Sequence, residues 1–263
     1  MKRTWIVTVM LTLLMGMAII PKGQSQVVIA LLFGDKLNSP NLKFGLDGGI
    51  NFSTLAGNSN AKFSNGFNLG LYFDIRLKTE SRWYIHTGLI LKSPMGCQEL
   101  KPYLLNNAAL DTMFANGNVK RELRYINLPL LIRYYFADQF FIEAGPMAGV
   151  LVKATDVFQT TVNEENDVSY RNNIYKKTNL FDIGAMGGLG YHFMKGTGMN
   201  LGVRYYYGFI SNPNDASYGT GNNQSLYAYL SIPIGAGEKS KAKAAARKEK
   251  KQEKQKMKET GNE

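Results

Sequence analysis

The 263-residue chain has a single cysteine, Cys97, and only two histidines, His86 and His192. One cysteine excludes an internal disulfide framework, so stability must come from elsewhere. Cys97 stands in the loop-like stretch "KSPMGCQEL". Nothing there defines the electropositive surroundings that a reactive thiol needs, so it reads as incidental. Two histidines fall short of the three protein ligands of a zinc site. Both are expected to face inward near the short connections, hydrogen-bonded to neighbouring carboxylates. The glycine-rich "GAMGGLGYHF" lacks the spacing and following helix of a nucleotide-binding turn, and its glycines read instead as relief of crowding at barrel bends. A Ser–His nucleophile motif is missing as well. No catalytic, cofactor-binding or metal-binding residue is therefore assigned, no cofactor is expected, and the chain is not expected to be an enzyme.

A long apolar run occurs only at the start. In "MKRTWIVTVMLTLLMGMAIIPKGQSQ", Lys2 and Arg3 precede an almost wholly apolar Thr4–Ile20, Pro21 breaks the run, and small residues Gly23 and Ser25 precede Gln26. This is the anatomy of a cleaved secretory signal peptide, residues 1–25. After it, no segment has the roughly twenty continuous apolar residues of a membrane helix.

The formal charge of +11 is concentrated at the ends: +3 in residues 1–25 and +5 in 237–263, which leaves +3 on the body, 26–236. A nearly balanced body gives no basic nucleic-acid face. The tail, rich in Lys, Glu, Ala and Gln, favours helix but lacks an apolar stripe, and is expected to be flexible or helical.

What the body does have is strict alternation. In "FNLGLYFDIRL", Phe67, Leu69, Leu71, Phe73, Ile75 and Leu77 fall on one face, and Asn68, Gly70, Tyr72, Asp74 and Arg76 on the other. Period two is the signature of a strand with an oily and a polar face. The pattern recurs at 43–53, 66–77, 82–92, 122–136, 140–153, 178–193, 198–210 and 224–236. Each stretch reaches the roughly nine to eleven residues of a tilted membrane strand. Short connections alternate with long ones at 54–65, 93–121, 154–177 and 211–223. Trp83, Tyr84, Tyr134, Phe136, Phe140, Tyr191 and Phe193 gather beside the short ones, as an interfacial girdle would. The fold expected is all-β: a closed eight-stranded antiparallel transmembrane barrel over 43–236, preceded by a periplasmic segment, 26–42, and followed by a basic periplasmic tail, 237–263.

If the oily faces meet lipid, the polar faces fill the lumen. An eight-stranded barrel is just wide enough for side chains to fill it. The inward set is expected to pair the acids Asp47, Asp74, Glu143 and Asp182 with the bases Arg76, Arg124, Arg133 and Arg204, since unpaired buried charge is expensive. This is a structural charge network rather than an acid–base site.

The stretches "ALLFGDKLNSPNLKFGLDGGINFSTLAG" (30–57) and "YINLPLLIRYYF" (125–136) resemble the small outer-membrane barrels of Bacteroidetes often labelled PorT-like. The resemblance spans about 27–236 and implies an eight-stranded barrel in the bacterial outer membrane. It brings no catalytic motif. PorT itself is associated with a secretion system, so an envelope or secretion-system protein is a candidate partner. The expectation is a monomeric barrel in contact with outer-membrane lipid, with a structural or partner-binding role, long loops extracellular and both termini periplasmic. A component of a secretion or envelope-assembly machine is the alternative, ahead of a lipid-modifying enzyme. Intact-mass measurement of protein extracted from membranes should show a chain beginning at Gln26; a mass that retains Met1 to Ser25 would contradict the export signal.

Overall fold

The computed structural model describes residues 41–234 except 79–80, 163–165 and 194–197. The expected signal peptide (1–25), most of the expected periplasmic segment 26–42 and the expected tail (237–263) lie outside the described residues. Nine strands form: β1 (Leu42–Ala56), β2 (Ser64–Arg76), β3 (Trp83–Leu100), β4 (Asn118–Tyr135), β5 (Phe140–Val162), β6 (Asn166–Asn173), β7 (Phe181–His192), β8 (Asn200–Asn212) and β9 (Gly221–Pro233). One short helix, α1 (Ala108–Phe114), lies between β3 and β4, its first turn capped by the Asn107 side chain.

Eight of the strands close into an antiparallel ring. Each pairs with its neighbours in chain order, β5 pairs with β7, and β1 closes the ring onto β9 from Gly45↔Pro233 to Ala56↔Asn222. All eight alternating stretches of the sequence are ring strands. The ninth, β6, is additional: it folds back on the far half of β5, from Thr155↔Asn173 to Val162↔Asn166. The chain enters at β1 and leaves from β9 at the rim of the short connections, where the Ile234 amide donates to the Phe44 carbonyl.

The segments 93–121 and 154–177 are not simply loops, because β3 runs on to Leu100, β4 begins at Asn118, and β5 continues to Val162. The reason is physical. An oily outer face marks a strand only where lipid lies outside it, whereas the hydrogen-bonded ladder runs past that boundary.

The wall is inside out relative to a soluble sheet. Ile50, Phe67, Leu130, Ile132, Ile142, Ile183, Leu189, Val203, Phe209 and Leu226 are all exposed on the outer surface, while Asp47, Asp74, Arg133, Glu143, Asp182 and Arg204 are buried. So wide an apolar surface suits only an apolar surround. At the short rim an aromatic row runs around the wall, with ring centroids 4.5 Å apart for Trp83–Tyr134, 6.1 Å for Phe136–Phe140, 4.9 Å for Phe140–Tyr191 and 5.0 Å for Tyr191–Phe193. Tyr84 is not part of it. It shares the inward phase of His86 and packs against Tyr135 and the Arg76 guanidinium.

Leu130, midway up the outer face of β4, offers a direct check. Leu130→Arg should destabilise the protein folded in lipid vesicles by about 2–4 kcal/mol, read as an earlier urea midpoint. The wild type should keep the heat-modifiable gel migration of a closed barrel.

Candidate functional site: the lumen and its cap

The lumen is filled in three layers. The lowest is a charge network centred on Glu143. Arg133 Nε and Nη2 donate to Glu143 Oε2 at 2.9 and 2.8 Å, and Nη1 donates to Asp74 Oδ2 at 2.8 Å. Arg204 Nε donates to Glu143 Oε1 at 2.5 Å and Nη1 to Asp47 Oδ2 at 2.7 Å. The Tyr229 hydroxyl donates to Glu143 Oε1 at 2.8 Å, and Ser231 Oγ to Asp47 Oδ1 at 3.2 Å. His86 joins Asp74 to Arg204: Nδ1 lies 2.6 Å from Asp74 Oδ1, and Nε2 lies 2.9 Å from Arg204 Nη2. These distances suit the tautomer in which Nδ1–H donates to the carboxylate and Nε2 accepts from the guanidinium. Each guanidinium also covers a ring, Arg133 over Phe141 at 4.2 Å and Arg204 over Tyr229 at 3.6 Å. Desolvated contacts of this kind contribute about 2 kcal/mol.

Seven of the eight ring strands supply this layer, and β7 supplies space. A Cβ at Gly188 would come within 2.9 Å of Arg204 Cγ, and one at Gly190 within 2.3 Å of the Phe141 ring. Gly184, Gly188 and Gly190 of "GAMGGLGYHF" are thus explained by close approach of the neighbouring strands and their side chains rather than by bends, whereas a Cβ at Gly187 would meet only the Glu143 carbonyl at 3.8 Å.

The middle layer is apolar and aromatic: Leu131, Met147, Met186, Leu123, Leu151, Tyr206 and Tyr227 pack as one buried cluster. Asp182 lies on β7 towards the long-connection end. Its Oδ2 accepts from Asn223 Nδ2 at 2.8 Å, and no cation pairs with it among the described residues.

The third layer caps the lumen. Arg121, fully buried, makes a fork to Asp156, Nε to Oδ1 at 2.8 Å and Nη2 to Oδ2 at 2.7 Å. The same guanidinium donates to the carbonyls of Gly219 (2.8 Å) and Tyr218 (2.6 Å). The Tyr103 hydroxyl donates to Asp156 Oδ2 at 3.0 Å and accepts from Asn172 Nδ2 at 2.9 Å. Burial, together with the adjacent Asp156 carboxylate, pushes the Tyr103 phenol well above its ordinary range. One bidentate pair thereby ties the connections 101–117 and 213–220 and strand β6 together. Leu55, Cys97, Leu100, Phe114, Val119 and Phe158 pack as an apolar lining beside it. Cys97 is a buried packing residue there.

Of the eight residues expected in one network, the structure brings together Asp47, Asp74, Arg133, Glu143 and Arg204. Asp182 is buried but apart from them. Arg76 is half-buried at the short rim, where Nε donates to the Ser81 carbonyl at 3.0 Å and the guanidinium stacks on Tyr84. Arg124 is a correction: it is exposed on the outer face. On β4 the odd positions, from Val119 to Arg133, face inward without interruption, so Arg124 and Arg133 cannot share a face. Arg121, Asp156 and Tyr229 were missed, whereas His86 faces inward against the Asp74 carboxylate as expected. Counting back by twos from Arg133 reaches Arg121, so parity alone could have found it. The two histidines do not meet: His86 joins the charge layer, while His192 Nδ1 lies 2.6 Å from Asn200 Oδ1.

A sequence profile described as "Outer membrane protein beta-barrel domain" matches residues 33–214. The chain belongs to this family. Among solved structures it is similar to the attachment invasion locus protein Ail of Yersinia pestis at 10% identity, covering 74% of this chain and 99% of that one with a TM-score of 0.39. It is also similar to Neisserial surface protein A (12%, 73% and 97%, TM-score 0.37) and to OprG from Pseudomonas aeruginosa (12%, 74% and 97%, TM-score 0.35). A search of curated proteins gave no match. The chain is an outer-membrane β-barrel protein.

The layers have separable energetics. Arg204→Ala should cost about 3–5 kcal/mol, because it leaves buried Asp47 without a guanidinium and Glu143 with Arg133 alone. Asp182→Asn should cost less than about 1 kcal/mol, since it breaks no ion pair. Melting curves in detergent that show equal losses for the two would contradict the layered lumen.

Proposed function

We propose that this protein is a non-catalytic, partner-binding barrel of the cell envelope that acts through its long-connection end. The observation that carries this reading is the filled lumen: a charge layer, an apolar layer and the Arg121–Asp156 cap stand in series across it. A passage so obstructed leaves the outer surfaces to do the work. The cap is ordered enough to present one. Pro102, Tyr103, Leu104, Leu105, Leu110 and Phe114 line an apolar depression beside α1, and Leu104 and Met113 are exposed at its margin. In the orientation we propose, this end is extracellular and both termini are periplasmic, as is usual where short turns and long loops alternate.

The second reading is a component of a secretion or envelope-assembly machine. It is supported by the likeness of 30–57 and 125–136 to PorT-like barrels. In either case the experiment is purification from detergent-solubilised outer membrane of the wild type and of a variant in which 101–117 is replaced by a short glycine-rich turn. A stoichiometric partner should accompany the wild type and be lost with the variant, while planar bilayers containing either should carry no steady current. An open-pore current in the wild type, or equal recovery of the partner with both, would overturn the proposal.

A further inference from the structure

Three cations stand on adjacent strands on the outside of the wall, within about two residues of the same height at the upper edge of its apolar band. Arg124 on β4 lies directly opposite Lys153 on β5. On β3, Pro94 lies opposite Arg124, which places Lys92 two residues below Arg124, with its ammonium 5.5 Å from the centroid of the Phe67 ring of β2. All three are exposed. Just below them the outer face is apolar: Leu128, Val150 and Val152.

Two of these cations are outside only because their strands are interrupted. On β3 the inward residues are His86 and Ile90 before the irregularity, then Ser93, Met95 and Cys97 after it. Had the first phase continued, Lys92 would point into the lumen. On β5 the inward residues are Phe141, Glu143, Met147 and Leu151, then Ala154, Asp156 and Phe158. The extra residue there leaves Val152 and Lys153 both exposed, where unbroken alternation would bury Lys153. Bulges re-aim side chains, and here two of them do so on either side of Arg124.

The result is unfavourable unless something neutralises it. Like charges directly opposite on paired strands repel, with Cβ atoms about 4.5–5.5 Å apart. No carboxylate pairs with Arg124 or Lys153 among the described residues. The nearest acid on that face of β4, Glu122, is already engaged by Arg171 (2.8 Å) and Lys120 (3.6 Å). A site with one guanidinium fork and two ammonium groups, at the border between apolar wall and water, has the chemistry and the height of a headgroup phosphate. We propose that Lys92, Arg124 and Lys153 form a clamp for the phosphate of an anionic lipid headgroup at the long-connection edge of the membrane. The clamp goes beyond the partner-binding reading and is independent of which rim is extracellular.

The test uses the full chain in phosphate-free maltoside micelles, with bacterial lipid A as the probe and native mass spectrometry as the readout. The wild type should retain lipid A, and the triple variant Lys92→Ala, Arg124→Ala, Lys153→Ala should bind it at least about tenfold more weakly. A control that removes the same charge nearby, Lys62→Ala, Lys101→Ala, Lys176→Ala, should bind as the wild type does. Equal binding by wild type and triple variant, or an equal loss in the control, would overturn the clamp. An excess of inorganic phosphate should leave lipid A in place; its displacement would assign the site to a soluble anion and reject the lipid. Heat-modifiable migration checks that each variant folds, and Arg124→Gln gives a second readout. Relief of the repulsion should raise its Tm above wild type in maltoside alone, and loss of the phosphate contact should put it below wild type once lipid A is added. The same sign in both conditions would refute the proposal.

Discussion

Every backbone N–H and C=O in this wall must find its partner inside the wall, because hydrocarbon offers none. Each group left unpaired there costs several kcal/mol, which only a ring without edges avoids. The pairing of β1 with β9 closes the ring, and the rest follows from that closure. A closed ring of eight strands has an interior too narrow for a water column and too wide to leave empty. Its exterior must be apolar, so the polar half of each alternating strand has nowhere to go but inward. The charges in the lumen are then a consequence of the sheet's closure, and their arrangement has to solve a problem the sheet creates.

The solution is uneven along the axis. Glu143 carries most of it, with one oxygen accepting from Arg133 and the other from Arg204 and Tyr229. Asp47 and Asp74 take the remaining arms of the two guanidinium groups, and His86 fills the gap between them by offering a donor to one side and an acceptor to the other. Such clusters need not add stability relative to an apolar core, since desolvation offsets much of the attraction. What they do confer is mutual dependence: residues from seven strands must be in register before any one of them is satisfied. The apolar layer of Leu131, Met147, Met186 and Tyr227 separates this cluster from the cap, so the two charged layers are satisfied independently.

The eight ring strands were legible because lipid imposes an oily face on each of them. The same rule explains what was not legible. Above the membrane boundary the outer face need not be oily, so the upper parts of β3, β4 and β5, and all of β6, carry no such mark. Arg121 and Asp156 sit in those upper parts, and the cap they hold together went unread with them. Arg124 is a different case, since its position is of opposite parity to Arg133 and the alternation of β4 lets only one of the two face inward. Asp182 was assigned correctly to the interior but without its neighbours, because alternation gives a side and not a height. Height depends on register, which here is set by bulges that leave no trace in composition.

Those bulges also show how one residue can serve two ends of a strand. A slip of one position turns every later side chain to the opposite face. On β5 the slip at Val152 and Lys153 brings Ala154, Asp156 and Phe158 inward. Without it, Thr155 and Val157 would stand where Asp156 now meets Arg121, and the carboxylate would point away from its partner. On β3 the slip after Ile90 does the same for Met95 and Cys97, which join the lining of the middle and upper layers. The cap therefore depends on a change of phase at the membrane boundary, and at the point of change two consecutive residues must face outward. Lysine stands in the outward pair on both strands, as Lys92 and Lys153. The exposed cations and the buried cap are thus two results of one backbone feature, and an alteration that removed either bulge would disturb both.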